Sequence, residues 1–246
     1  MKKLLITVTA CLSILCCRAQ GNEPVSTFAN LKSLKVLESI TVFHPATGVE
    51  IINKACRLLP AGDPYRQTGD TPDGDDILVL RMKLETAGTK TYSVLYTNGP
   101  SEDPAFMFGD EEGQIIATLG GTSLYLPGNG SVYTSGHTNT SFNKRSKFRL
   151  KNGNFEEVPQ AYYYVGLKTK TAKDITLYAD REETQAVAVV PAGTEVEVLL
   201  AEFRDSDGGY ERFLIRSPFG LVGWFGITTY NLGEPPVLPG IYYAGD

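Results

Sequence analysis

From Ile77 to Phe225 the chain is a succession of short apolar segments cut by Gly, Pro, Asn and Asp at turn positions. Segments of that length and spacing pair as strands, and 13 Tyr with 11 Phe favour the pleated, half-buried surface that strands offer. Ile77 to Thr86 and Thr91 to Thr97 read as a hairpin joined by Ala87-Gly88-Thr89-Lys90. Gly120-Gly121 and Pro127-Gly128-Asn129-Gly130 punctuate the short apolar segments beyond that hairpin. Asn152-Gly153 is the clearest turn, because both residues tolerate the positive φ of a two-residue hairpin loop. It sets Leu150 opposite Phe155 on one face and Arg149 opposite Glu156 on the other. The basic run Lys144, Arg145, Lys147, Arg149 and Lys151 therefore meets Glu156 and Glu157 on its partner strand, which predicts an ion-paired surface rather than an anion site. An apolar content of 42% is ample for a packed core and excludes global disorder.

Two segments depart from this pattern. Residues 26–40 bring Phe28, Leu31, Leu34, Leu37 and Ile40 round at intervals of three, with Ser26 or Thr27 available as a cap, and predict a helix. Asp63 to Asp76 is loop by its Gly, Pro and Asp content.

The start of the chain reads as an address. Lys2 and Lys3 precede an uncharged apolar run from Leu4 to Cys17, the length of a secretory leader core and too short to span a bilayer. Cys17 and Ala19 supply the small residues that a cut before Gln20 needs, so residues 1–19 are expected to be a signal peptide and the product periplasmic or secreted. The alternative is a lipid anchor, because Val8-Thr9-Ala10-Cys11 has the form of an acylation site. Removal of Lys2, Lys3 and Arg18 leaves 20 basic against 28 acidic side chains, a net charge of −8. That balance repels phosphate backbones, and nucleic acid is not an expected partner. Cys56 is then the sole cysteine, so no intrachain disulfide holds the fold.

From Tyr162 the composition shifts toward aromatics, with eight of the 13 tyrosines and the single tryptophan in the last third. Strands are expected at Ile175–Tyr178, Val187–Val190, Glu195–Phe203, Arg212–Arg216 and Leu221–Phe225. AVAVVPAGTEVEVLL resembles the strand, Pro-x-Gly-Thr, alternating-strand signature of bacterial SH3-like domains. GYERFLIRSPFGLVGWF resembles their closing hairpin, and together the two cover roughly residues 173–230. The resemblance implies a small closed β-barrel, with Gly193 in a tight turn and Gly223-Trp224 on a sharply curved strand. Thr176-Leu177-Tyr178 stands where members of that family often carry Asn-Val-Arg, so ligand contacts made from that strand in relatives do not transfer. In the first part of the chain TPDGDDILVLRM is similar to an FG-GAP-type propeller blade, whose Asp-rich loop binds calcium. Pro72 and Gly74 put Asp70, Asp73, Asp75 and Asp76 out of the alternate register such a loop needs, so a solvated loop is expected and no metal is assigned.

Chemistry is sparse. His44 and His137 are the only histidines, and both read as surface residues rather than general bases. Lys54-Ala55-Cys56-Arg57 lacks the acidic and aromatic setting of the cysteine peptidases that carry SH3-like modules. No hydrolase elbow, zinc-peptidase helix, phosphate loop or dinucleotide fingerprint occurs. Glu156-Glu157 and Glu182-Glu183 are adjacent in sequence and would point to opposite faces of a strand, the pattern expected of a solvated edge. No catalytic residue and no cofactor is assigned.

What remains is binding by exposed aromatic side chains. The expected architecture is mainly β: residues 20–161 form an N-terminal helix-plus-antiparallel-sheet domain, and residues 162–246 a small SH3-like β-barrel with a C-terminal tail. The candidate ligand-binding face carries Tyr178, Tyr210, Trp224 and Tyr230. Trp224 and Phe213 also suit the core of such a barrel, and Tyr210 and Tyr230 stand beside turns. The expected ligand is a cell-wall peptide or glycan. The alternatives are an envelope protein bound through sheet edges or the Tyr162-Tyr163-Tyr164 strand, and a hydrolase using Asp73 and Asp75. N-terminal sequencing of the exported protein is expected to read Gln20-Gly21-Asn22; an intact Met1 contradicts the leader, and an acylated Cys11 at the start gives the lipid anchor in place of the cut before Gln20.

Overall fold

Side chains that alternate between water and an apolar interior dominate the chain, and the computed structural model resolves them into three sheets. It describes residues 28–52, 76–98, 103–136, 142–203, 211–227 and 236–241. In chain order the strands are β1 (Lys32–Lys35) and β2 (Thr41–His44); β3 (Val49–Ile51), β4 (Ile77–Met82), β5 (Tyr92–Thr97), β6 (Ala105–Gly109) and β7 (Ile115–Gly120). There follow β8 (Ser123–Tyr125), β9 (Ser131–Gly136), β10 (Lys144–Lys151) and β11 (Asn154–Glu157). The last are β12 (Tyr163–Lys170), β13 (Ile175–Tyr178), β14 (Ala186–Val190), β15 (Glu195–Phe203), β16 (Glu211–Arg216) and β17 (Val222–Ile227).

The first sheet has the order β1-β2-β8-β9-β10-β11 and the second β3-β4-β5-β6-β7. They face each other as a sandwich, because Val36, Ile40, Val42, Leu124 and Val132 of the first share one core with Val79, Leu80, Val94, Phe106 and Phe108 of the second. The second sheet is buried on its other face too, where Leu78, Leu95 and Met107 gather with Ile52 and Ile115. Burial on both faces explains why Ile77-Leu78-Val79-Leu80 is continuously apolar instead of alternating. The expectation of an antiparallel first part is corrected at one place. β2 and β8 run parallel, with Val42 beside Leu124 and Phe43 beside Tyr125.

The expected helix over residues 26–40 is absent from the described part of that segment. Residues 32–35 and 41–44 instead form the antiparallel β1–β2 pair, closed by a turn in which the Val36 N–H donates to the Ile40 carbonyl at 3.0 Å. The spacing of three was misleading because burial follows a different set. Val36, Ile40 and Val42 enter the core and Leu34 packs against it, whereas Phe28 and Leu37 stay 38% exposed. Leu34 and Val36 flank an exposed Lys35, the period of two that a strand needs.

The Asn152-Gly153 hairpin forms in the expected register, with Leu150 opposite Phe155 and Arg149 opposite Glu156. Both turn residues have positive φ, 54° and 83°. Lys151 pairs with Glu156 at 3.1 Å and Lys144 with Glu157 at 3.0 Å, so the basic run is an ion-paired strand surface. Pairs this exposed contribute little to stability.

The third sheet has the order β12-β15-β16-β17-β13-β14 and encloses its own core, with Tyr163, Ile175, Leu177, Val190, Val198, Phe213 and Ile215. The strands fall where the sequence places them, but the sheet does not close into a barrel. β12 pairs antiparallel with β15 from Tyr163 beside Ala201 to Lys170 beside Glu195, occupying the edge that closure by β14 would have used. β14 is left as a terminal strand, and Val189 is 66% exposed. Two outside segments complete this core. Leu238 and Ile241 are buried in it, tied by the Ala172 N–H to the Val237 carbonyl at 2.8 Å, and Phe142, which precedes β10, is buried there as well. No helix among the described residues is long and apolar enough to cross a membrane.

Phe106 is fully buried at the centre of the sandwich. Phe106→Ala is expected to lower stability by about 3–5 kcal/mol through lost burial and the cavity left behind. Urea unfolding followed by far-ultraviolet circular dichroism measures this, and a loss below about 1 kcal/mol would show that the site collapses without cost.

Candidate functional site

Strand register brings aromatic side chains together on the face of the third sheet that points away from its core. Leu200 pairs with Tyr164 on one side and Leu214 on the other, Leu214 with Trp224, and Trp224 with Tyr178. A row therefore crosses five strands with an aromatic residue at each end and Trp224 between. Phe213, one residue from Leu214, points the other way and is fully buried in the core. The expectation that Trp224 shares that core is corrected: it is half-buried and belongs to the opposite face.

Gly223 makes the approach of β17 to β13 possible. A Cβ at this position would lie 2.8 Å from Leu177 Cβ and 2.9 Å from the Tyr178 carbonyl oxygen, too close for any other residue without movement of the strands. The glycine that the sequence offers beside the tryptophan thus sets the Tyr178–Trp224 pair. At the far end of the row the Tyr164 ring lies over Gly166, whose φ is +69°; a Cβ there would meet the Tyr164 hydroxyl at 2.4 Å. The Arg145 guanidinium sits 5.1 Å from the Tyr164 ring centroid and donates to the Tyr164 carbonyl at 3.2 Å.

The next row carries charge. Glu202 on β15 pairs in register with Arg212 on β16, and its two oxygens lie 2.7 Å from Arg181 Nη1 and 3.8 Å from Arg212 Nη1. Arg181 follows β13, and its guanidinium lies 5.8 Å from the Tyr162 ring. The Tyr162 ring is in turn 5.7 Å from that of Trp224, tilted by 39°. The hydrogen bond to Glu202, then its charge, push the Arg181 pKa further up and keep the guanidinium cationic. The turn bearing Arg181 is fixed by Asp180, whose carboxylate accepts the Thr184 N–H at 3.0 Å, the Thr184 hydroxyl at 2.8 Å and the Gln185 N–H at 3.0 Å. These bonds, the Thr184 N–H foremost, hold the Asp180 carboxyl below its ordinary range. The turn therefore keeps this support above the ordinary carboxylate range and loses it as pH falls through the lowered value.

Of the four expected ligand contacts, Tyr178 and Trp224 are brought together. Tyr210 and Tyr230 lie outside the described residues, as do Cys56, His137 and Asp70, Asp73 and Asp75. His44 is buried rather than on the surface, with Nδ1 2.7 Å from the Pro45 carbonyl oxygen. Among the described residues no three His, Cys, Asp or Glu side chains cluster so as to hold a metal ion. Sequence reasoning missed Arg181 and Glu202, which are 21 residues apart and meet only through strand order. It also missed a second ring cluster on the first sheet, where Phe43 stacks on Tyr125 at 4.4 Å and Phe28 meets Tyr125 and Tyr133 edge-on at 5.3 and 4.9 Å. That ladder depends on the parallel β2–β8 pairing, which no local pattern announces.

Comparison with protein-family models, with curated proteins and with solved structures gives no match for this chain.

Gly223→Ala is expected to cost about 1–3 kcal/mol, because an inserted methyl group forces β13 and β17 apart. It should also shift the emission of Trp224, the only tryptophan. Unchanged stability and unchanged emission would show that the close approach is dispensable.

Proposed function

We propose that this is an exported, non-enzymatic binding protein of the bacterial cell envelope, whose third sheet recognises a cell-wall peptide or glycan. One observation carries the reading: Trp224, Tyr178 and Tyr162 lie together on a face away from the core, beside the charged group of Arg181, Glu202 and Arg212. Rings supply stacking area, and the Arg181 guanidinium, fixed by Glu202, supplies donors already held in place. Support comes also from the resemblance of residues 173–230 to bacterial SH3-like domains and from the leader-like residues 1–19.

A second reading is favoured by the β14 edge. Val187 and Val189 are exposed, and the strand carries neither lysine nor proline, the usual guards against edge-to-edge pairing. An envelope protein adding a strand here is the form that reading takes. Co-purification from the native cell separates the two, with glycan or peptide fragments on one side and a stoichiometric protein on the other.

Purified protein mixed with isolated sacculi is expected to sediment with them, and Trp224→Ala to weaken that retention about tenfold, the loss of a stacking contact. Sedimentation no greater than that of albumin overturns the reading.

A further inference from the structure

The charges around the ring cluster are matched among themselves. Arg181 is engaged by Glu202 at 2.7 Å, and the charge of Glu182 acts on the same guanidinium. The second oxygen of Glu202 lies 3.8 Å from Arg212, whose side chain is largely buried, as is that of Glu202. Glu202 is thus shared by two guanidinium groups, and the charge of Arg181 is already met by a fixed carboxylate. A ligand carboxylate gains strongly from an arginine only by taking both its forked N–H groups. Here Glu202 already holds Nη1 and neutralises the guanidinium, so a carboxylate on the remaining edge of Arg181 meets a charge that is already paired and lies beside a second carboxylate.

A neutral ligand meets no such barrier. The Tyr162 and Trp224 rings, tilted by 39° with centroids 5.7 Å apart, are a surface onto which a flat, C–H-rich ring can pack. The remaining N–H groups of the exposed Arg181 side chain stand at its border, where hydroxyl oxygens can accept them, while Glu202 holds the guanidinium in place. From this we infer that the third sheet takes an uncharged saccharide, packed on Tyr162 and Trp224 and hydrogen-bonded by the Arg181 guanidinium that Glu202 holds, in preference to a peptide bearing a free carboxylate. The inference rests on the proposed binding role of this sheet and selects between its two ligand classes.

Because Trp224 is the only tryptophan, its emission reports occupancy of the protein as the cell produces it. Two probes are titrated: a hexamer of N-acetylglucosamine, which is neutral, and a synthetic stem pentapeptide with a free C-terminal carboxylate. The hexamer is expected to shift the emission saturably and the pentapeptide to leave it unchanged. Tyr162→Ala should weaken the hexamer about tenfold and Tyr162→Phe less than about twofold, so that the loss is that of the ring and not of the fold. Glu202→Gln separates the ligand classes most sharply, since it frees Arg181 for an anion while keeping the shape of the side chain. It should weaken the hexamer and let the pentapeptide bind, because the carboxylate that holds and neutralises Arg181 is gone. Saturable binding of the pentapeptide in place of the hexamer by the unaltered protein, or a pentapeptide that stays unbound in Glu202→Gln, overturns the inference. Retention by sacculi without hexamer binding also overturns it and leaves the proposed function standing, whereas failure to sediment with sacculi removes the reading on which it rests.

Discussion

β15 has two hydrogen-bonding edges, and the taking of one of them by β12 decides most of what distinguishes the third sheet. A barrel would have closed by returning β14 to that edge. With β12 there instead, six strands run in open order and the tyrosines at the start of β12 are carried to the sheet that holds Trp224. Exposure of β14 and the gathering of rings are thus two results of a single pairing choice. Unpaired backbone groups are too costly to leave buried, so whichever strand reaches β15 dictates both.

Close approach is the second condition. Gly223 lets β13 lie against β17, and Gly166 leaves room beneath Tyr164. Neither glycine touches a ligand in any reading, yet the positions of Tyr178 and Tyr164 depend on them. The carboxylate of Glu202 works in the same indirect way, joining a turn after β13 to β16 through two arginines.

Local chemistry was legible in the sequence and distant pairing was not. Asn152-Gly153 announced its hairpin because the preference for positive φ is intrinsic to those residues, and the register of Leu150 and Phe155 followed. All five strands expected after Ile175 exist, since alternation and turn residues mark them within a few positions. The segment 26–40 misled because a second apolar set at even positions, Leu34, Val36, Ile40 and Val42, overlaps the one spaced by three, and only contact with the core selects between them. Trp224 could be read as core or surface until its neighbours were known; a bulge in β15 between Val198 and Leu200 sets which residues there face outward. Arg181 and Glu202 had no signal at all, because their meeting depends on a strand order that local propensities do not encode.

Phe142 precedes the strands of the third sheet in the chain and lies outside its strand order, yet it is buried in that sheet's interior with Leu238 and Ile241. An excised fragment beginning at Tyr162 would lack this ring and carry a vacancy at its heart. The sandwich and the aromatic-rich portion are accordingly not joined like beads on a string, because the segment leading into β10 of the former supplies part of the latter's interior.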